Sequence, residues 1–177
     1  MSWKILDFKL IFKNNFFSLR SEKCLLPNKK ILNDYFLFEC KDWVQVIAQD
    51  KNKNYIMVEQ YRHGGKKAFL EFPGGVIDNG ETPLEAANRE MQEETGFQAT
   101  NLKYLGFQFP NPALQTNKIH VFYAEGCEPV SKQSLDEFED IVVMSVSEVE
   151  LDEIISKSGN HSLMLSTYFT LKNYLAK

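Results

Sequence analysis

The chain is 177 residues long, 44% hydrophobic and 25% charged, with a formal net charge of −4 and a pI near 5.5. That size supports one well-buried core plus a modest appendage. The acidic balance argues against electrostatic capture of nucleic acid or an anionic membrane, so an anionic ligand must be met locally. Cys24, Cys40 and Cys127 are odd in number and share no metal-ligand spacing, which reads as reduced thiols in a cytoplasmic protein. No apolar run approaches the ~20 residues of a membrane span, and the opening MSWKILDFK lacks a signal-peptide core.

From the N-terminus, Lys4 to Phe12, Phe16 to Cys24 and, after the Pro27-Asn28 turn, Tyr35 to Glu39 read as strands. Residues 1–40 thus form a small β unit. Its aromatic residues, among them Trp3, Phe8, Phe12, Phe16 and Phe36, supply more apolar surface than a hairpin hides alone, so it packs either on the chain's own main domain or on a partner. Residues 41–177 form that main domain. Trp43 to Ala48 and Tyr55 to Tyr61 flank a polar turn and read as a hairpin. A loop over 63–67 then precedes a strand from Ala68 to Phe72. The planar guanidinium of Arg62, shortly before a glycine-rich turn, either grips two phosphate oxygens or pairs with Glu59 or Glu71.

Pro73-Gly74-Gly75 leads into GVIDNGETPLEAANREMQEETGF. Thr82 with Glu85 makes a capping box, Pro83 falls in the first turn and Gly96 suits a left-handed exit, so a helix of about fourteen residues starts near Pro83. Leu84, Ala87 and Met91 share its core-facing stripe. Glu90, Glu93 and Glu94 share another face. Their mutual repulsion is offset either by a divalent cation or, for a plain solvated face, by Arg89 pairing with Glu93. Hard oxygen ligands without Cys or His nearby select Mg2+ or Mn2+ over zinc.

Beyond the helix, Leu102 to Phe109 and Lys118 to Ala124 alternate as strands around a loop at 110–117. Residues 125–136 are polar and turn-rich, and Glu137-Phe138-Glu139-Asp140 reads as a mobile acidic loop before a strand from Ile141 to Met144. Glu148 to Lys157, ended by Gly159, and Ser162 to Leu175 read as helices covering one face of the sheet. His63, His120 and His161 are too scattered to suggest a histidine-based catalytic set.

From Gly75, five residues lead to Glu81 and seven more to Arg89-Glu90, followed by Glu93-Glu94, Thr95, Gly96 and the apolar Phe97. This resembles the Nudix box at every specified position. The resemblance implies a metal-dependent hydrolase of a nucleoside diphosphate linked to another group. It also implies an α+β fold, an α/β/α sandwich with a mixed sheet. Glu90 and Glu94 would bind metal with Glu93 assisting, Glu93 and Arg89 would belong to the catalytic set, and the carbonyl of Gly74 would complete the metal shell.

Gln60-Tyr61-Arg62, Glu71-Phe72-Pro73-Gly74-Gly75 and Pro112, fifteen residues beyond Phe97, are similar to the ADP-ribose pyrophosphatase branch of that family. So is E-x-E-D-I at Glu137 to Ile141. The branch implies Glu137 as base, Glu139 as second choice or metal contact, and Arg62 and Pro112 on the substrate. Tyr35 and Trp43 are candidates to stack on adenine. The implied reaction takes ADP-ribose to AMP and ribose 5-phosphate, with GDP-mannose, NADH or non-turnover sensing of ADP-ribose or NAD as alternatives. The branch further implies a homodimer in which the N-terminal strands of one chain help build the pocket of the other.

Overall fold

A computed structural model describes residues 2–177, which divide into two compact units. The smaller unit joins the N-terminal stretch through Asp42 to Phe109–Lys118, and the larger comprises Trp43–Gln108 and Ile119–Lys177. A division at residue 40 therefore leaves out a segment 70 residues further on. Local pattern cannot reveal such a segment, because its attachment is tertiary. Phe38 donates its N–H to the Leu114 carbonyl at 2.7 Å and accepts from Thr116 N–H at 3.1 Å, while the Tyr35 hydroxyl donates to the Ala113 carbonyl at 2.6 Å.

The smaller unit is an antiparallel sheet in the order β1 (Lys4–Lys13), β2 (Phe17–Leu25), β3 (Ile31–Cys40). Every residue of β1 is exposed within the chain, Ile5, Phe8, Leu10, Ile11 and Phe12 included. β2 alone carries buried positions, and Glu22 among them is held by Arg20 at 2.6 Å.

The larger unit is built on β4 (Trp43–Asp50), β5 (Tyr55–Arg62), β6 (Lys67–Glu71), β7 (Phe97–Gln98), β8 (Lys103–Gln108), β9 (Ile119–Pro129) and β10 (Ile141–Val146). The sheet runs β10-β5-β4-β9-β7, with β6 on β5 and β8 on β9. It is mixed, because β4 and β9 pair in parallel while the other pairings are antiparallel. Period-two alternation sends β4 side chains to opposite faces. Val44, Val46 and Ala48 join Ile56, Phe122 and Ala124 against Ala86, Ala87 and Met91 of α1 (Pro83–Thr95). Ile47 joins Tyr55, Met57, Val121 and Tyr123 against Leu151 of α2 (Glu148–Ser156) and Met164, Tyr168 and Leu171 of α3 (Ser162–Leu175). Helices on both faces of one sheet make this unit an α/β/α sandwich.

Four local expectations need correction. β4 and β5 meet as a hairpin only at Ala48↔Ile56 and Gln49↔Tyr55. Beyond that they part, and residues 73–75 take the vacated side of β4: Val44 N–H donates to Gly75 O and Val46 N–H to Pro73 O, both at 2.8 Å. β9 continues through the polar run to Pro129, where it pairs with Phe97 and Gln98. Leu84 is 48% exposed, since Ala86 and Ala87 carry the core contact of the first turn. Finally, α2 ends at Lys157, and Gly159 does not cap it: the Asn160 side chain donates to the Ile154 and Lys157 carbonyls, each at 2.8 Å. Among the described residues no helix is long and apolar enough to cross a membrane, and Cys24, Cys40 and Cys127 are free thiols.

Candidate active site

The capping box forms as the sequence dictates: Thr82 accepts from Glu85 N–H, Glu85 returns a bond to Thr82 N–H, and Gly96 closes the helix at φ 73° with its N–H on Gln92 O. The carboxylate face then turns inward. Glu90 is 9% and Glu94 4% exposed, whereas Glu93 keeps 42% of its side chain in solvent. They face the 73–75 turn, which explains its glycines. A Cβ on Gly74 would overlap the Val44 carbonyl, and one on Gly75 would overlap the Glu90 carboxylate. The Gly74 N–H donates to Glu94 Oε2 at 2.8 Å.

Arg89 is the hub of the cluster. Its Nε and Nη2 meet the two oxygens of Glu81 at 2.9 and 3.0 Å, and its Nη1 meets Glu90 at 2.9 Å and Glu93 at 3.0 Å. Nη2 also reaches the Val76 carbonyl at 3.0 Å, tying helix to turn. The i,i+4 pairing with Glu93 expected for a plain acidic helix is therefore present, but it is only one of five bonds.

Burial still dominates the two inner acids. Desolvation pushes Glu90 up to about 7 despite Arg89, and Glu94 up to about 8 despite the Gly74 N–H. Among the described residues no three His, Cys, Asp or Glu side chains already converge as a metal cage, because Glu90 leans on Arg89 and Glu94 on the turn. The donor set nevertheless suits a hard divalent cation. Two desolvated carboxylates on one helix face carry charge that burial disfavours, and a cation beside them would stabilise that charge.

The acidic loop reaches this cluster through the C-terminus of α1, whose unpaired carbonyls it satisfies. Val130 and Ser131 N–H groups donate to Gly96 O at 2.9 and 3.1 Å, and Ser134 N–H to Glu93 O at 2.9 Å. The Gln133 amide bridges Glu94 O at 2.6 Å and Ile141 O at 3.1 Å. Gln133 escapes a sequence reading because its partners are backbone atoms. Asp136 to Glu139 then forms a turn, with Glu139 N–H on Asp136 O at 3.0 Å and Asp136 N–H on Glu139 Oε2 at 3.1 Å. The charge of Glu139 acts on Glu90, Glu94 and Arg62 alike, while Glu137 stands exposed at the corner of the turn.

Arg62 pairs with Glu71 rather than Glu59. Nε and Nη2 grip both Glu71 oxygens at 2.9 and 2.8 Å, and Arg62 also feels the charge of Glu94. Trp43 begins β4 opposite Val76. Tyr35 and Pro112 lie in the smaller unit, Pro112 exposed.

A match to the NUDIX domain covers residues 42–163, and the chain belongs to the Nudix family. It is similar to an ADP-ribose pyrophosphatase of Bacillus subtilis (strain 168), 33% identical over 150 residues, which is 81% of this chain and 80% of that one. It is similar as well to a methanol dehydrogenase activator of Bacillus methanolicus, 33% identical over 108 residues, 59% of this chain and 58% of that one. In fold it matches the crystal structure of an ADP compounds hydrolase with a TM-score of 0.83 at 23% identity, covering 99% of this chain and 95% of that one. Among Nudix proteins its likeness runs to the ADP-ribose pyrophosphatase branch, and it is a pyrophosphohydrolase.

The arrangement at Gly75 gives a specific expectation. Gly75→Ala drives a methyl into the Glu90 carboxylate, so turnover should fall at least about tenfold while the fold survives, because the clash is with a side chain that can swing away. Gly74→Ala should instead lower the melting temperature, since its clash is with β4 backbone. Melting curves and rates of the two variants side by side check this; equal behaviour would mean that the Glu90 position is not what the glycine protects.

Proposed function

We propose that the protein hydrolyses ADP-ribose to AMP and ribose 5-phosphate with Mg2+ or Mn2+, as a cytoplasmic homodimer. The observation that carries this reading is the pair of buried carboxylates, Glu90 and Glu94, against a glycine turn in a chain similar over four-fifths of its length to an ADP-ribose pyrophosphatase. Glu90 and Glu94 would hold the cation, with Glu93 and the Gly74 carbonyl assisting, and Arg89 keeps their side chains in register. The cation, when bound, supplies neutralising charge for the diphosphate and its leaving oxygen. Arg62 contributes a positive charge that Glu71 holds in place, and of its five N–H groups two are taken by Glu71.

The proton of the attacking water goes to the acidic loop. Glu139, whose charge already acts on Glu90 and Glu94, groups with the cation-binding acids, and Glu137 at the exposed turn corner is the base. Glu137→Gln should therefore lower the turnover number about 100-fold or more with an unchanged Mg2+ requirement, whereas Glu139→Gln should raise the Mg2+ concentration needed. Magnesium titrations of both variants decide it, and a larger turnover loss in Glu139→Gln reverses the two roles.

The specific test of the substrate is product analysis on a panel of ADP-ribose, GDP-mannose, NADH and ADP-glucose with Mg2+. Preference for another member overturns ADP-ribose while leaving the cluster assignment standing. For the dimer, β1 exposes apolar side chains along its whole length, and obligate interfaces bury on the order of 2,000 Å2. Tyr35, Trp43 and Pro112 would then contribute to nucleotide binding. Light scattering at micromolar concentration should give twice 20.5 kDa; a stable, active monomer sinks the idea.

A further inference from the structure

Glu71 is a buried acid whose two oxygens are met by side chains from two different parts of the chain. It is 2% exposed at the end of β6. Burial alone would raise its carboxyl, yet the His161 and Arg62 side chains set against its oxygens hold it down at about 2, so it stays an anion. One partner is the Arg62 fork. The other is His161, whose Nδ1 stands 3.1 Å from Glu71 Oε1 at ion-pair distance, off the line of a straight hydrogen bond.

His161 is also placed with care by its own surroundings. It is the residue before the first turn of α3, and it accepts no side-chain cap bond there. Asn160 beside it pins the chain to the end of α2 through the Ile154 and Lys157 carbonyls. Its ring packs on Phe69 at a centroid distance of 5.8 Å, and Lys67 reaches from over the same Phe69 ring to the Gly159 carbonyl. The α2–α3 connection is thus fastened to the β5–β6 hairpin at several points around one buried anion.

We propose that Glu71 and His161 are positioning residues. Glu71 holds the Arg62 guanidinium in place, and His161 fixes Glu71, so that the connection between the last two helices sets where the diphosphate-facing cation of the protein stands. This rests on the pyrophosphatase reading for its substrate but not for its geometry. A guanidinium held at two points loses little freedom when a diphosphate meets its remaining N–H groups, and a loose one has to be ordered each time.

The test compares His161→Phe, which keeps the ring packing on Phe69 but has no nitrogen to face Glu71, with His161→Asn, whose amide nitrogen takes the place of Nδ1. Glu71→Gln serves as a third variant, keeping the shape of the side chain while removing its charge. The first readout is the Arg62 side-chain Nε–H signal in 15N-arginine-labelled full-length protein. The second is the split between KM and kcat for ADP-ribose with Mg2+.

In wild type and His161→Asn the Nε–H should be slow to exchange. In His161→Phe and Glu71→Gln it should exchange fast and KM should rise about tenfold, the worth of one charge-assisted hydrogen bond, with kcat within about twofold. An unchanged Nε–H in His161→Phe overturns the proposal, as does a lost signal with unchanged KM, or failure of His161→Asn to rescue. If the Nε–H pattern holds while wild type does not turn over ADP-ribose, the substrate reading falls and the positioning of Arg62 stands.

Discussion

Glu94→Gln should reduce turnover by about three orders of magnitude while the protein folds as well as or better than wild type. The amide still accepts the Gly74 N–H, so the turn is kept, but the charge that would hold a cation is gone. Stability should improve for an electrostatic reason. Burial lifts Glu94 to about 8 and Glu90 to about 7, both above the ordinary 4.5. Between roughly pH 4.5 and 8 the unfolded chain therefore binds fewer protons than the folded one, and stability falls as pH rises through that window.

Glu71, held at about 2, acts with the opposite sign, and its contribution is lost only as pH falls below 4.5. In the presence of a chelator, wild type should thus melt at a lower temperature at pH 8 than at pH 5, Glu94→Gln should flatten that slope, and Mg2+ at pH 8 should restore wild type but not the variant. Differential scanning calorimetry at the two pH values, with and without Mg2+, measures all of it. A wild-type curve indifferent to both pH and Mg2+ would remove Glu94 from the cation site.

Arg89→Lys should cost stability and activity together, unlike Glu94→Gln. Arg89 makes five bonds in fixed directions, to Glu81, Glu90, Glu93 and the Val76 carbonyl, and an ammonium cannot span that fork. A single ammonium keeps the charge but reaches only part of that set, so the acids are left less well compensated. We expect a loss of about 2 kcal/mol, below the value for a fully buried pair because 30% of the Arg89 side chain is exposed. Turnover should fall about 100-fold as Glu90 and Glu93 lose their register. Urea unfolding and rates at low and high salt check both, with Gln92→Ala, on the exposed side of the same helix, as control. Full activity in Arg89→Lys would show that the carboxylates need no organiser.

Where the bonds close within one turn or follow the period of a strand, the sequence by itself determined the outcome. Thr82, Glu85, Pro83 and Gly96 mark both ends of α1 through bonds made within one turn, and alternation along β4, β5 and β9 follows from the two-residue period of any strand. The spacing of Glu90, Glu93 and Glu94 places them on one face for the same reason.

Tertiary structure alone decided which way that face points, because only the parting of β4 from β5 opens the slot that residues 73–75 fill, bringing glycine backbone against Glu90 and Glu94. It also decided that Glu71 rather than Glu59 pairs with Arg62, since Glu71 lies nine residues along the chain on an adjacent strand. The attachment of 109–118 to the N-terminal sheet, the parallel register of β4 with β9, and the meeting of His161 with Glu71 join residues whose sequence separation carries no pattern. Contacts of that kind are set by packing of the whole chain, and no residue on either side announces its partner.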